Sequence, residues 1–144
     1  MSTRTLKSLV KLHRRLLDQK RQAMAVLQGK REAFVAQRTK LQEELENERR
    51  LAETSPDLQY TFGAYAHRNH LRQQEIVLHI AECDKAIETL AEAIREAFQE
   101  TKTYEIMHER ALDEEEKRLA KREQDELDEI GGKNYLQKRE ASES

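Results

Sequence analysis

The sequence predicts an all-α fold, a long antiparallel two-helix coiled-coil hairpin with the second helix overhanging. Three observations predict it. Of the 144 residues, 38% are charged and 5% aromatic, with four glycines, one proline and no tryptophan; average chains hold about 25% charge and about 5% proline. Two stretches free of helix breakers, residues 5–53 and 58–130, are separated by Thr54-Ser55-Pro56-Asp57. Each stretch carries apolar residues at alternating steps of three and four, the spacing of a left-handed coiled coil. The composition argues against a compact enzyme, whose core would be bulkier, and against a β domain, which needs more turn residues. Leucines this regular, with so little Pro and Gly, also argue against a disordered tail.

In the first helix, counting sevens from Leu6 reaches His13, Lys20, Leu27, Phe34, Leu41 and Glu48. Companion positions fall at Leu9/Val10, Leu16/Leu17, Ala23/Met24, Lys30/Arg31, Gln37/Arg38, Leu45 and Leu51/Ala52, so charge interrupts the seam near Lys30 and Arg38. Pro56 disfavours helix at the residue before it, and Ser55 or Asp57 can cap the second helix, which places the turn at 54–57. The second helix has the cleaner seam: Ile76, Ile80, Cys83, Ile87, Leu90, Ile94, Ala97, Thr101 and Tyr104, thinning through Ala111/Leu112, Leu119, Leu127 and Ile130. Gly131-Gly132 is expected to stop this helix, leaving 133–144 as a flexible polar tail and 1–132 as one hairpin domain.

A four-residue connection between two seamed helices implies antiparallel neighbours. Pairing outward from the turn sets Glu53 beside Leu58 and Thr5 near Met107. The paired arm then spans roughly 75 Å, and the second helix overhangs by about 20 residues. Charge favours the same arrangement. Residues 1–31 hold nine bases and one acid, while residues 82–105 hold seven acids and three bases. The antiparallel register lays one against the other, which is expected to satisfy much of the basic arm. The overhang, 109–129, holds ten acids and five bases and is expected to lack a partner within the chain.

The net charge of −2 implies no nucleic-acid or membrane partner overall. The single Cys83 suits a reducing cytoplasm, no apolar run reaches transmembrane length, and the leading residues lack a secretory apolar core. No phosphate loop, nucleophile elbow or zinc spacing is present. A two-helix hairpin offers no enclosed pocket to shift carboxylate pKa values, so no catalytic residue, cofactor or metal is expected. His79 and Cys83 are four apart, but two ligands do not make a metal site, and Cys83 falls in the seam. His67 and His70 read as a solvated face. Tyr60, Phe62 and Tyr65 cluster after the turn; Tyr60 and Phe62 cannot share one helix face. They form a binding surface, or else close the hairpin end with Leu51.

The Leu6–Leu17 segment L-x2-L-V-x-L-H-R-R-L-L, the turn some 50–57 residues in, the subsequent Tyr60-x-Phe62-x2-Tyr65 and the Gln124–Glu129 stretch QDELDE together resemble the FliJ family of flagellar type III export. The resemblance covers roughly residues 6–130. It implies a non-enzymatic stalk that inserts into the hexameric export ATPase, contacts the membrane export-gate protein and interacts with export chaperones. By position it implies a gate contact at Leu51, Phe62 and Tyr65, with Tyr60 beside them, and an ATPase contact at the termini end. It also implies a cytoplasmic chain at the export apparatus, peripheral to the inner membrane through partners only. Two other readings compete: a self-associating coiled-coil scaffold, and a basic-helix binder of nucleic acid or membrane.

Overall fold

The computed structural model describes residues 1–143. It consists of helix α1, Thr3–Thr54, and helix α2, Pro56–Glu143, joined through Ser55. Among the described residues there is no strand. The helices pack on each other as an all-α helical hairpin.

Local chemistry sets each helix end. Ser2 caps α1: its hydroxyl accepts the Thr5 N–H at 3.1 Å and its carbonyl accepts the Leu6 N–H at 3.0 Å, satisfying amides that a helix start would otherwise strand. At the other end Thr54 donates its hydroxyl to the Leu51 carbonyl at 2.9 Å. The Ser55 carbonyl accepts the Gln59 N–H at 3.2 Å, which makes Ser55 the cap of α2. Pro56 takes the first helical position, where its missing N–H costs nothing. Asp57 puts an acid in that first turn, where the helix dipole favours it. The expected four-residue turn therefore narrows to Ser55, because Pro56 and Asp57 act as helix starters.

The expected stop at Gly131-Gly132 does not occur. No glycine among the described residues has positive φ, so no left-handed cap forms, and α2 runs on to Glu143. Two mid-helix glycines cost about 2 kcal/mol together. Good helix formers offset this (Leu136, Gln137, Lys138, Arg139), as do the four-apart pairs Lys133–Glu129 at 3.9 Å and Arg139–Glu143 at 3.6 Å.

The hairpin divides into two compact units: residues 1–14 with 99 onward, and Arg15–Phe98. In the second, α1 buries or half-buries Leu17, Lys20, Met24, Leu27, Arg31, Phe34, Leu41, Leu45, Glu48 and Ala52. Arg38 is the one position in that 3-4 series left exposed. The facing series on α2 has no gap: Phe62, Ala66, Asn69, Gln73, Ile76, Ile80, Cys83, Ile87, Leu90, Ile94 and Ala97. Phe34 stacks on His79 with centroids 5.0 Å apart, and Arg31 pairs with Asp84. The layer at Leu41 is polar. Asn69, 4% exposed, donates to the Leu41 carbonyl at 2.9 Å and accepts from the Gln73 amide at 2.6 Å. With only two helices, no large side chain is fully buried.

In the other unit Leu6 and Val10 are buried on α1 and Thr101 on α2, while His13 stacks on Tyr104 with centroids 4.5 Å apart. The Thr3 hydroxyl donates to Glu115 at 3.0 Å. Thr5 therefore faces residues beyond Met107, and the register counted from the turn is corrected. Seam packing chooses the facing residues, and the two helices need not advance equally. The part of α2 that buries no side chain changes accordingly: every residue from Leu112 to Glu143 is exposed, a stretch that starts later and runs further than 109–129, with Glu115 still reached by Thr3.

Candidate functional site

The α2 seam in the Arg15–Phe98 unit runs through 62, 66, 69, 73, 76 and 80. Two residues before each of these lies a second series, Tyr60, Ala64, His67, Leu71, Gln74 and Leu78, and all six are exposed. An offset of two residues is about 200° round a helix, so the series lies on the face turned away from α1. It keeps the same alternation of four and three. Tyr60 is 93% exposed, Leu78 65% and Leu71 49%. Isolated exposed apolar residues are ordinary; here Tyr60, Leu71 and Leu78 recur along one face, with Ala64, His67 and Gln74 between them, at the spacing a partner helix would meet.

The four expected site residues do not share one face. Tyr60 lies on this outer row. Leu51, 52% exposed, belongs to α1. Phe62 is half-buried in the hairpin seam, and Tyr65 is half-buried beside an open groove lined also by Leu41, Glu44, Arg68, Asn69 and Arg72. The structure thus separates an outward Tyr60 from seam-side Phe62 and Tyr65. Leu71 and Leu78 were not singled out from the sequence, although their steps from Tyr60 are a readable signal once α2 is indexed on its seam.

Beside Leu51 the side chains are committed to one another. Arg49 donates to Glu46 at 2.6 and 3.0 Å and to Glu53 at 2.5 Å, and Arg50 approaches Glu46 at 3.4 Å. The Arg49 guanidinium holds the Glu46 carboxyl below its ordinary range, and Glu46 in turn raises Arg49.

The family model described as flagellar FliJ protein matches residues 1–140. The chain belongs to the FliJ family. No curated protein and no solved structure matches it. The family is a non-catalytic component of the flagellar export apparatus. No helix among the described residues is long and apolar enough to cross a membrane.

Within this FliJ-family chain Cys83 and His79 are engaged in packing. Cys83 is 5% exposed in the seam. His79 stacks on Phe34 and its Nδ1 lies 3.6 Å from Glu82, while His67 and His70 are exposed. At the other unit the His13 Nδ1 lies 3.7 Å from Glu100. Glu105 is held below the ordinary carboxylate range, first by Lys102 donating at 3.1 Å and then by Arg14 donating at 3.1 Å.

The basic arm is not neutralised as the register implied. Of its nine bases, Arg14 reaches Glu105 and Arg31 reaches Asp84 across the hairpin, while Arg21 pairs with Asp18 on its own helix. Arg4, Lys7 and Lys11 make no ion pair among the described residues and are exposed.

Proposed function

We propose that this chain is the stalk of the flagellar type III export machine. In this reading its terminal unit enters the hexameric export ATPase, and its outer α2 row docks the export gate, with export chaperones as further partners. The observation that carries the docking role is the exposed row Tyr60–Leu71–Leu78, indexed to the coiled-coil period yet facing away from α1. Family membership supports the setting. The chemistry would belong to the ATPase. The hairpin gives it an element whose surface is charged and whose contacts are scattered, so no single packed hot spot locks it in place.

The test has two arms. Adding the chain to the purified export ATPase should raise its hydrolysis rate and promote ring assembly; an unchanged rate at saturating chain refutes the stalk role. A pull-down on the gate's cytoplasmic domain should lose at least about tenfold in capture with Tyr60→Ala and Leu78→Ala together. Undiminished capture removes the outer row from the gate contact and leaves the ATPase arm standing.

The scaffold reading has one observation in its favour. Leu112, Leu119, Leu127 and Ile130 recur along the bare part of α2 and are all at least 46% exposed. Sedimentation of the chain alone decides: a monomer supports the stalk, and a stable dimer paired through those residues supports the scaffold.

A further inference from the structure

The terminal unit carries a face that neither the hairpin seam nor the outer α2 row uses. No acid occurs before Asp18, and α1 has none in its first turn. Arg4, Lys7 and Lys11 succeed one another at steps of three and four, so they share one side of α1. That side is separate from the one that buries Leu6 and Val10. All three cations are exposed and without an ion pair among the described residues, and the apolar Met1, just before the helix, and Leu12, about 100° round from Lys11, are 76% and 47% exposed.

One of these cations sits where a helix least tolerates it. The first turn carries the positive end of the helix dipole, so Arg4 adds like charge to like, with Lys7 one turn further in. Within the chain one acid, Glu115, comes near this start, accepting from the Thr3 hydroxyl at 3.0 Å, but none pairs with the three cations among the described residues, and their mutual repulsion remains. An anionic surface laid against the face relieves it and at the same time gains attraction from each cation. The neighbouring apolar side chains favour a lipid surface over a purely ionic one, because a bilayer interface accepts apolar groups between its charged headgroups.

We propose that the Arg4–Lys7–Lys11 face of α1 binds anionic phospholipid directly, with Met1 and Leu12 entering the headgroup layer. The FliJ resemblance implied membrane association through partners only, with a basic-helix binder of nucleic acid or membrane as a competing reading; this face supplies a contact of its own. The inference stands on the charge of the face and not on the stalk role.

The test is co-sedimentation of the full chain with phosphatidylcholine vesicles, with and without phosphatidylglycerol, at low ionic strength. Binding should require phosphatidylglycerol and should vanish near 0.5 M salt, where screening acts within about 4–5 Å. Each surface cation is worth about fivefold in partitioning, so Arg4→Glu, Lys7→Glu and Lys11→Glu together should cost at least about a hundredfold. The same triple variant should keep the parent's helicity and melt within a few degrees of it, since all three positions are exposed and make no ion pair among the described residues. That separates lost binding from lost structure. A matched reversal at Lys133, Lys138 and Arg139 changes the net charge equally and should leave binding within about twofold. The proposal is overturned if the parent binds both vesicles alike or neither, or if the tail reversal loses as much as the face reversal. Tighter binding to duplex DNA than to vesicles of equal phosphate would also overturn it, in favour of nucleic acid.

Discussion

Asn69 offers the most direct test of how the hairpin is held. It is 4% exposed in an otherwise largely apolar series, donating to the Leu41 carbonyl at 2.9 Å and accepting from Gln73 at 2.6 Å. Asn69→Ala removes both hydrogen bonds. Each is worth about 0.5–1.5 kcal/mol net, and Gln73, half-exposed, recovers part of its loss to water. Truncation also removes packing against Leu41. The expected cost is about 2 kcal/mol, or roughly 5–10 °C in Tm for a chain of this size. Asn69→Leu loses the same bonds but escapes the desolvation of a buried amide and adds apolar area at about 25 cal/mol per Å². It should be more stable than Asn69→Ala and close to or above the parent, as when a polar coiled-coil position is made apolar. Urea unfolding of the full chain, followed by far-ultraviolet circular dichroism, measures both. An Asn69→Ala variant as stable as the parent, or an Asn69→Leu variant less stable than Asn69→Ala, would refute the polar-layer account.

Ile76→Asp should cost at least about 3 kcal/mol and abolish cooperative unfolding, because it leaves a charge unpaired in the seam. Ile87→Asp, at a half-buried position, should cost less, and equal losses would contradict the burial pattern. Gly131→Ala with Gly132→Ala should raise helicity and stabilise the end of α2 by about 1 kcal/mol per site. A Cβ at either glycine meets nothing within 4 Å, so a loss of helicity would show that the helix does stop there. The stability supplied by ionised Glu105 is present above its unfolded-state pKa, near 4.5, and disappears as pH falls through its lower folded value. Acid titration of the parent against Glu105→Gln should therefore diverge above that window and converge below it. A constant difference across the range would count against the Lys102 and Arg14 contacts.

Much of the fold was legible in the sequence because its signal is local and repeated. The 3-4 spacing of α2 from Ile76 to Tyr104, the Ser55-Pro56-Asp57 starter and the absence of other breakers each depend on residues close in the chain, and they agree with one another. The FliJ resemblance, carried by the leading segment and the turn, was legible for the same reason. The candidate site was less so. Tyr60, Phe62 and Tyr65 are neighbours in sequence, yet only the direction of α1 decides that Tyr60 points outward while Phe62 and Tyr65 lie toward the seam. Leu71 and Leu78 join Tyr60 only once that face is known.

Period and caps, then, determined two helices, their seam and their antiparallel pairing, since a helix presents its residues at angles that the sequence alone dictates. Tertiary structure decided three other matters. It set which residues face each other, bringing Thr3 to Glu115 and Asn69 to Leu41. It decided that Gly131 and Gly132 remain in helix, because a glycine caps a helix in this way only when its backbone turns left-handed, and these do not. It also showed that the basic arm keeps Arg4, Lys7 and Lys11 free of ion pairs among the described residues, since opposite net charge on two facing helices neutralises only the side chains that lie beside the contact.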